Sequence, residues 1–301
     1  AADNPALLRN CECRGRRGYV PDMQGIQGGD VGNDKTMTSP LNIAFITQDD
    51  PFYVRIFFEE FIESHERRDE IKVVVIAPVM GKKSLYALLR QMFDFYGWRH
   101  FVWVGAKYIF YKAASKLPAT AERKCFFSVE QVCRHYGVRV VRTGDVNAPD
   151  FLGQLAQWNP DLVISVAAPQ VFREALISLP RRGCVNIHSS KLPRYRGMLP
   201  NFWQMYHGEK SVGLTIHYIN AGIDDGDILL QTETPIGAGE SLDALIQRTK
   251  KLAAGLMIDV LRQIRTGDVR VTQNRTEHAT YFTFPTRRDV EEFHRRGYRL
   301  L

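Results

Sequence analysis

Polar side chains of the types that stabilise acyl transfer lie within one stretch of the chain, residues 185–231. Asn186 and His188 stand two positions apart in Val-Asn-Ile-His, and side chains two apart on an extended strand point to the same face. A second predicted strand, 213–219, leads into a Gly/Asp turn that presents Asp224 and Asp225. An amide, an imidazole and a carboxylate suit acyl transfer through a tetrahedral oxyanion, with Asn186 and His188 donating to that oxyanion.

The carboxylate is expected to control the charge of the imidazole. A carboxylate beside His188 favours its charged form, so we expect a raised pKa for this histidine. His217 is either a substrate contact or a structural hydrogen-bond partner at the end of its strand. Arg194 and Arg196 are either contacts to a substrate phosphate or solvated surface charges.

The elements that must position these residues begin with a βαβ pattern. Residues 41–47 and 71–77 are apolar runs that predict buried strands, and residues 52–63 between them have helical periodicity. Further strands are predicted at 138–141, 161–167 and 184–188, followed by an antiparallel edge. This order predicts an α/β fold with a doubly wound, mostly parallel sheet. The turn Gln48-Asp-Asp-Pro after the first strand lacks the glycines of a dinucleotide site.

Composition limits the class of protein. The 301 residues are 45% hydrophobic and 24% charged, as in ordinary globular proteins, and no apolar run is long enough to span a membrane. Five cysteines, an odd number, argue against a disulfide framework and for a reducing, cytoplasmic location. Cys11 and Cys13 lack a second pair at zinc spacing, so no metal is expected.

Positive charge concentrates in residues 82–118. Seven basic residues stand there against Asp94 alone, a net of +6 out of +7 for the chain, and the segment is rich in Trp, Phe and Tyr. Three interpretations remain open: a pair of helices packed on the core with snorkelling lysines, a lid over an anionic substrate, or contact with a membrane surface.

The stretch resembles a known family at several fixed positions. Asn-x-His at 186–188, Leu-Pro-x-Tyr-Arg-Gly-x-x-Pro-x-x-Trp at 192–203, and His217 followed seven residues later by Asp224-x-Gly226 are similar to the folate-dependent formyltransferases. Methionyl-tRNA and amino-sugar N-formyltransferases belong to that family. One departure is Ser189, because the family usually has proline after the histidine.

The resemblance implies a Rossmann-like formyltransferase fold, 10-formyltetrahydrofolate as co-substrate and no metal. It implies Asn186, His188 and Asp224 as catalytic residues, Asp224 being chosen over Asp225 by its distance from His217. It places the folate against Ala168, Pro169, Gln170, Val171, Leu192, Pro193, Gly222 and Ile223. It places substrate contacts, less specifically, at Arg194, Tyr195, Arg196 and His217.

The domain organisation is predicted from the same evidence. Residues 1–40 are expected to be a disordered tail, with Met37 as a plausible true start; 41–236 form the catalytic domain with the insert 82–118. Residues 237–301 form a small helical and β extension, which leaves no room for the C-terminal barrel domain of the methionyl-tRNA branch.

The expected reaction is formyl transfer to a primary amine on a small anionic acceptor resembling an amino-sugar nucleotide. Methionyl-tRNA is the disfavoured alternative within the same class. Hydrolysis of formyltetrahydrofolate is a further alternative, and a folate-binding scaffold without enzymatic activity is the alternative from another class.

Overall fold

The sheet has the predicted mixed architecture. The computed structural model describes residues 40–78, 84–117 and 125–301, and its main sheet holds seven strands in the order β3-β2-β1-β4-β5-β7-β8. Neighbours from β3 to β5 pair in parallel, whereas β5–β7 and β7–β8 pair antiparallel. The strands are β1 Ile43–Gln48, β2 Ile71–Ala77, β3 Val140–Arg142, β4 Leu162–Val166, β5 Cys184–His188, β7 Ser211–Tyr218 and β8 Ile228–Pro235, with a short β6 at Arg196–Gly197.

Helices cover both faces of this sheet, which explains the continuous apolar runs of its central strands. Side chains of α1, α3 and α7 pack into the core on one face, and those of α4 and α5 pack on the other. The helices are α1 Val54–Ser64, α2 Leu85–Ala114, α3 Val129–His135, α4 Pro149–Gln157, α5 Glu174–Ile177, α6 Pro200–Tyr206, α7 Leu242–Thr266 and α8 Arg287–Arg295. The predicted doubly wound fold is confirmed.

The strand order creates a crevice at the carboxyl edge of the sheet. The chain turns outward in opposite directions from the neighbouring strands β1 and β4. Ligands of open α/β sheets bind at such a switch point, outside the carboxyl ends of the strands. The loops after β1, β4 and β5 therefore converge on one edge, where Asp50, Ala168 and His188 lie.

The C-terminal extension returns to this edge. β9, Tyr281–Phe282, pairs in parallel with β6. Thr286 caps α8 through a capping box. Thr272 forms an isolated antiparallel bridge with Ile228. Within the described residues 237–301, helices and short strands are present rather than a closed barrel.

The basic aromatic segment forms one long helix with a kink. α2 runs from Leu85 to Ala114, and Gly97, with φ 65°, interrupts it in a conformation that residues with side chains rarely adopt. Only Phe95 and Tyr111 of α2 are buried. The expected pair of packed helices is therefore present in outline, but most of its surface faces solvent.

The domain boundaries at residues 40 and 236 stay predictions, and the predicted tail lies, except for Pro40, outside the described residues. Every helix within 40–78, 84–117 and 125–301 is too short or too polar to cross a lipid bilayer.

Candidate active site

Two paired strands bring three polar side chains to the crevice. Asn186 of β5 stands opposite His217 of β7 in the antiparallel register, and His188 stands opposite Thr215. His188 and His217 are buried, at 6% and 2% exposed. Because Asn186 and His188 alternate with apolar neighbours, both point to the same face of the sheet.

Asp224 reaches this face from a constrained turn. Its φ is 49°, in the left-handed region that side-chain-bearing residues seldom occupy. Gly226 two residues later is required, since a Cβ there would stand 1.9 Å from the carbonyl oxygen of Tyr218. The Gly197 N–H donates to Asp224 Oδ2 over 2.9 Å, which fixes the carboxylate.

Three side chains lie within contact distance of one oxygen of the Asp224 carboxylate. Asp224 Oδ1 is 3.4 Å from Asn186 Nδ2, 3.5 Å from His188 Nδ1 and 3.7 Å from His217 Nε2. Asn186 Nδ2 is also 3.3 Å from His217 Nε2. The predicted trio therefore converges, and His217 joins it as a fourth member.

The cluster holds Asp224 ionised. Burial raises its pKa, but the imidazoles of His188 and His217, which are protonated in the acid range where Asp224 titrates, and the Gly197 N–H outweigh burial and lower the pKa from 3.8 to about 2. At neutral pH the site therefore contains a fixed negative charge.

The expectation of a raised pKa for His188 is wrong. Burial is the largest influence and lowers the pKa of His188 below 6.5, although Asp224 and the Tyr195 carbonyl oppose this. His188 Nε2 lies 2.8 Å from the Tyr195 carbonyl oxygen, which accepts only from a protonated nitrogen. The neutral ring therefore carries its proton on Nε2 and presents the lone pair of Nδ1 towards Asp224.

A backbone carbonyl group defines the tautomer of His217 in the same way. Its Nδ1 lies 2.8 Å from the Tyr218 carbonyl oxygen, so Nδ1 carries the proton and Nε2 accepts from Asn186. The two amide hydrogens of Asn186 then face His217 and Asp224. Both contacts are near the upper limit for hydrogen bonds, so they are weak and exchangeable.

The predicted anion contacts at 194–196 are already paired within the protein. Arg196 is 9% exposed and donates to Asp225 Oδ1 over 2.6 Å. Arg194 forms an ion pair with Glu209, and the Tyr195 hydroxyl donates to Glu209 over 2.7 Å. Ion pairing leaves neither guanidinium free in this arrangement. Arg194 is exposed, whereas Arg196 is buried and is therefore not a solvated surface charge.

The predicted folate residues lie on three loops around the site. Ala168, Pro169 and Gln170 are half-buried, whereas Val171 is 65% exposed and Ile223 48% exposed. Gln170 uses its side chain to tie this loop to Val146 N and the Gly144 carbonyl oxygen. Leu192 is buried, Pro193 is half-buried and Gly222 is exposed. Apolar side chains and backbone thus border the cluster, as a pterin ring requires.

Sequence reasoning missed two residues near the cluster. Asn274 is 5% exposed and donates to the carbonyl oxygens of Asp224 (3.0 Å) and Gly226 (3.2 Å). Lys250 of α7 has no hydrogen-bonded or ion-paired partner among the described residues. Burial lowers the pKa of Lys250, and the Asp50 carboxylate opposes that change. An isolated Asn or Lys carries no spacing signal that identifies it in sequence.

No group of three or more His, Cys, Asp or Glu side chains suited to a metal ion occurs within the described part of the chain. The chemistry available to the cluster is hydrogen bonding and proton transfer around one buried carboxylate.

Fold and site together define an α/β transferase-type domain, and comparisons with known proteins agree. Residues 113–261 match the family model described as formyl transferase. The chain is 36% identical over 141 residues to methionyl-tRNA formyltransferase of Citrifermentans bemidjiense, which covers 47% of this chain and 44% of that protein. It is 34% identical over 162 residues to the Kosmotoga olearia enzyme, covering 54% and 52%.

The match of residues 113–261 to the formyl transferase model and the 34–36% identity to these enzymes confirm the resemblance to the folate-dependent formyltransferases that the motifs predicted. Its matches span about half the length of these curated relatives.

Solved structures agree on the fold. A sugar 3N-formyl transferase, determined in the presence of dTDP and 5-N-formyl-THF, has a TM-score of 0.52 at 16% identity, covering 81% of this chain and 70% of that one. Glycinamide ribonucleotide transformylase 1 from Symbiobacterium toebii has a TM-score of 0.52 at 18% identity, covering 77% and 94%.

Proposed function

We propose that this protein transfers a formyl group from 10-formyltetrahydrofolate to the primary amine of a small anionic acceptor. The observation that carries the proposal is the convergence of Asn186, His188 and Asp224, from a strand and a separate turn, around one carboxylate oxygen. Such a cluster has no use in a protein that only binds folate, whereas acyl transfer needs each of its parts. The resemblance to the folate-dependent formyltransferases supports the same chemistry.

The bound folate supplies the formyl group as an amide-like acyl donor. The loop 168–171, the segment Leu192–Pro193 and Gly222–Ile223 would hold its ring, because they offer apolar side chains and backbone polar groups beside the cluster. This placement sets the formyl carbon next to Asn186 and His188.

Asn186 then acts on the oxygen that gains negative charge. Its amide hydrogens leave the long contacts to Asp224 and His217 and donate to the formyl oxygen instead. Oxyanion stabilisation of this kind contributes about 10²–10³ to turnover per donor.

His188 acts on the proton. Its lone pair at Nδ1 accepts the proton that the amine loses as the new C–N bond forms, and Asp224 stabilises the resulting imidazolium. When the bond to the folate nitrogen breaks, the same proton passes from His188 to that nitrogen. Atoms and charges balance: the products are the formylated amine and tetrahydrofolate.

The charge around the crevice supports an anionic acceptor. Lys250 lies close enough to His188 and Asp50 to influence the pKa of both, although burial is the largest influence on each. A cationic side chain without a partner among the described residues, beside the proton-transferring histidine, suits a phosphate or carboxylate on the acceptor. An amino-sugar nucleotide has both the amine and the anionic group.

Methionyl-tRNA is the second candidate acceptor. The curated relatives at 34–36% identity are methionyl-tRNA formyltransferases, and tRNA also carries phosphates near an amine. Because the matches span about half the length of those proteins, the similarity does not assign their acceptor to this chain.

The test is an acceptor screen with purified full-length chain and 10-formyltetrahydrofolate, scored by tetrahydrofolate release and by the mass of the formylated product. Amino-sugar nucleotides, charged initiator methionyl-tRNA and buffer alone form the three arms. Formylation of an amino-sugar nucleotide that His188→Ala abolishes, while His278→Ala at an exposed histidine does not, supports the proposal.

Other outcomes are equally distinct. If only the tRNA is formylated, the acceptor is methionyl-tRNA instead of an amino-sugar nucleotide, and the proposed mechanism stays the same. Release of tetrahydrofolate in the arm without an acceptor indicates a hydrolase. Folate binding with no release in any arm indicates a folate-binding scaffold and overturns the enzymatic proposal.

A further inference from the structure

The outer face of α2 is apolar although nothing in the described structure covers it. In the segment after the kink, Trp98, Val102 and Ile109 are 66%, 63% and 69% exposed. At 100° per residue these positions fall within about 40° of one another, so they form one stripe along the helix. Trp103 and Phe110 are also exposed, but they lie about 100–120° around the helix from the centre of this stripe, on the side that leads to the inner face.

The inner face of the same segment is apolar as well. Tyr111 packs edge-on against Phe127 and tilted against Phe52, at ring-centroid distances of 5.2 and 5.6 Å. A helix that is apolar on both faces is normally covered on both. One face of α2 meets the protein, so the other is suited to a second apolar environment.

The charges on this segment are of one sign. Residues 95–117 contain Arg99, Lys107, Lys112 and Lys116 and no acidic residue. Lys112 is paired with Asp49 over 2.9 Å, and Lys107 lies over the rings of Trp103 and Tyr111. Arg99 lies over Trp98 at the edge of the stripe. The free surface therefore combines aliphatic side chains, Trp98 and cationic side chains.

We propose that α2 is a membrane-docking helix that lies in the interface of an anionic lipid bilayer. Aliphatic side chains enter the acyl boundary, Trp side chains lie at the level of the headgroups, and Arg or Lys side chains bind anionic headgroups. The surface named here, the α2 outer face, comprises Trp98, Val102 and Ile109.

Two other occupants fit the same surface less well. A second copy of the chain would, in a twofold dimer, bring the cationic side chains of two α2 segments together, with no acid on residues 95–117 to pair them. A nucleic acid binds to several cationic side chains along its phosphates, whereas Val102 and Ile109 are aliphatic and cannot pair with phosphate.

The experiment is flotation of the full-length chain with vesicles. Phosphatidylcholine vesicles with about a third of phosphatidylglycerol represent an anionic surface, and pure phosphatidylcholine vesicles are the neutral control. We expect the wild type to float with the anionic vesicles and weakly with the neutral ones. Raised salt lowers the bound fraction because it screens Arg99 and Lys116.

Variants separate the apolar from the electrostatic contribution. Val102→Ser combined with Ile109→Ser is expected to weaken vesicle binding by about tenfold or more, since two buried aliphatic groups are lost. Val271→Ser, at a 51% exposed valine outside α2, is the matched control and keeps binding. Arg99→Glu is expected to weaken binding at least about fivefold, and Arg270→Glu, at an exposed arginine, is its control.

The outcomes that overturn the proposal are specific. Equal binding of the serine double variant and the wild type removes the α2 outer face from the contact. Absence of flotation, together with a wild-type dimer that the double variant dissociates in sedimentation, assigns the face to a second copy. Retardation of tRNA that the double variant abolishes assigns it to nucleic acid. None of these variants touches the cluster at His188, so formyl transfer in lipid-free solution stays at the wild-type rate.

Discussion

At the scale of single residues, the proposed chemistry depends on the environment of His188. The Tyr195 carbonyl oxygen accepts from Nε2 and Asp224 faces Nδ1, so both ring nitrogens have assigned roles before substrate binds. Burial keeps the ring neutral, and the adjacent carboxylate is ready to stabilise its charged form. A neutral base beside a permanent anion is suited to a proton that arrives and leaves within one turnover.

Replacing His188 tests its role in turnover directly. His188→Ala is expected to lower kcat by about 10²–10⁴, because general acid–base catalysis is lost. Folate affinity is expected to stay within about tenfold, because the imidazole acts mainly in the transition state. Single-turnover formyl transfer and folate titration measure the two quantities. A variant with wild-type turnover removes His188 from the mechanism.

The pH profile tests the state of that histidine. Because burial lowers the pKa of His188 and the neutral ring is the active form, kcat/KM is expected to fall only below pH 6.5. Asp224→Asn removes the charge that opposes this lowering. The fall of kcat/KM at acid pH, the acid limb of the profile, should then move to still lower pH. The value of kcat should also fall, because the imidazolium loses the carboxylate that stabilises it. An acid limb above 6.5 in the wild type contradicts the assigned state.

At the scale of elements, the active-site turn is held by a segment far away in sequence. Asn274 donates to the Asp224 and Gly226 carbonyl oxygens, Thr280 accepts from Tyr195 N through its hydroxyl and from Arg196 N through its carbonyl, and β9 pairs with β6. Residues after 261 lie outside the matched family model. The C-terminal extension is therefore a structural clamp on the loops that carry the site.

Removal of the Asn274 amide tests the clamp. Asn274→Ala frees the turn and leaves two buried carbonyl groups without donors, so we expect kcat to fall by about tenfold or more. Asn274→Ala keeps the charge of Asp224. The shift of the acid limb that is expected for Asp224→Asn should therefore be absent. Gln273→Ala, at the exposed neighbour, is the control. If both variants keep wild-type kcat, the clamp has no part in catalysis.

At the scale of the whole molecule, sequence patterns predicted the sheet and the cluster, but not the tertiary contacts that surround the cluster. Apolar runs gave β2 at its observed bounds and β1 within two residues, because buried parallel strands are continuous in hydrophobicity. The net effect on His188 was mispredicted, since sequence identifies the neighbouring carboxylate but not the depth of burial. The sequence left Arg196 open between a phosphate contact and a solvated surface charge, because its partner Asp225 lies 29 residues away and only the folded turn brings them together.

A buried ion pair joins the segment before β2 to the end of α7, and it gives the last prediction. Glu70, fully buried, accepts from Leu41 N before β1 and from Arg265 Nη2 near the end of α7, at 3.2 and 2.6 Å. Glu70→Ala strands a largely buried guanidinium, so the free energy of unfolding should fall by about 3–5 kcal/mol in urea titration. Glu70→Leu with Arg265→Met removes both charges and should recover part of that loss. Glu277→Ala, at an exposed carboxylate, should change stability by less than about 0.5 kcal/mol; a Glu70→Ala value equally small would show that the pair does not join these elements.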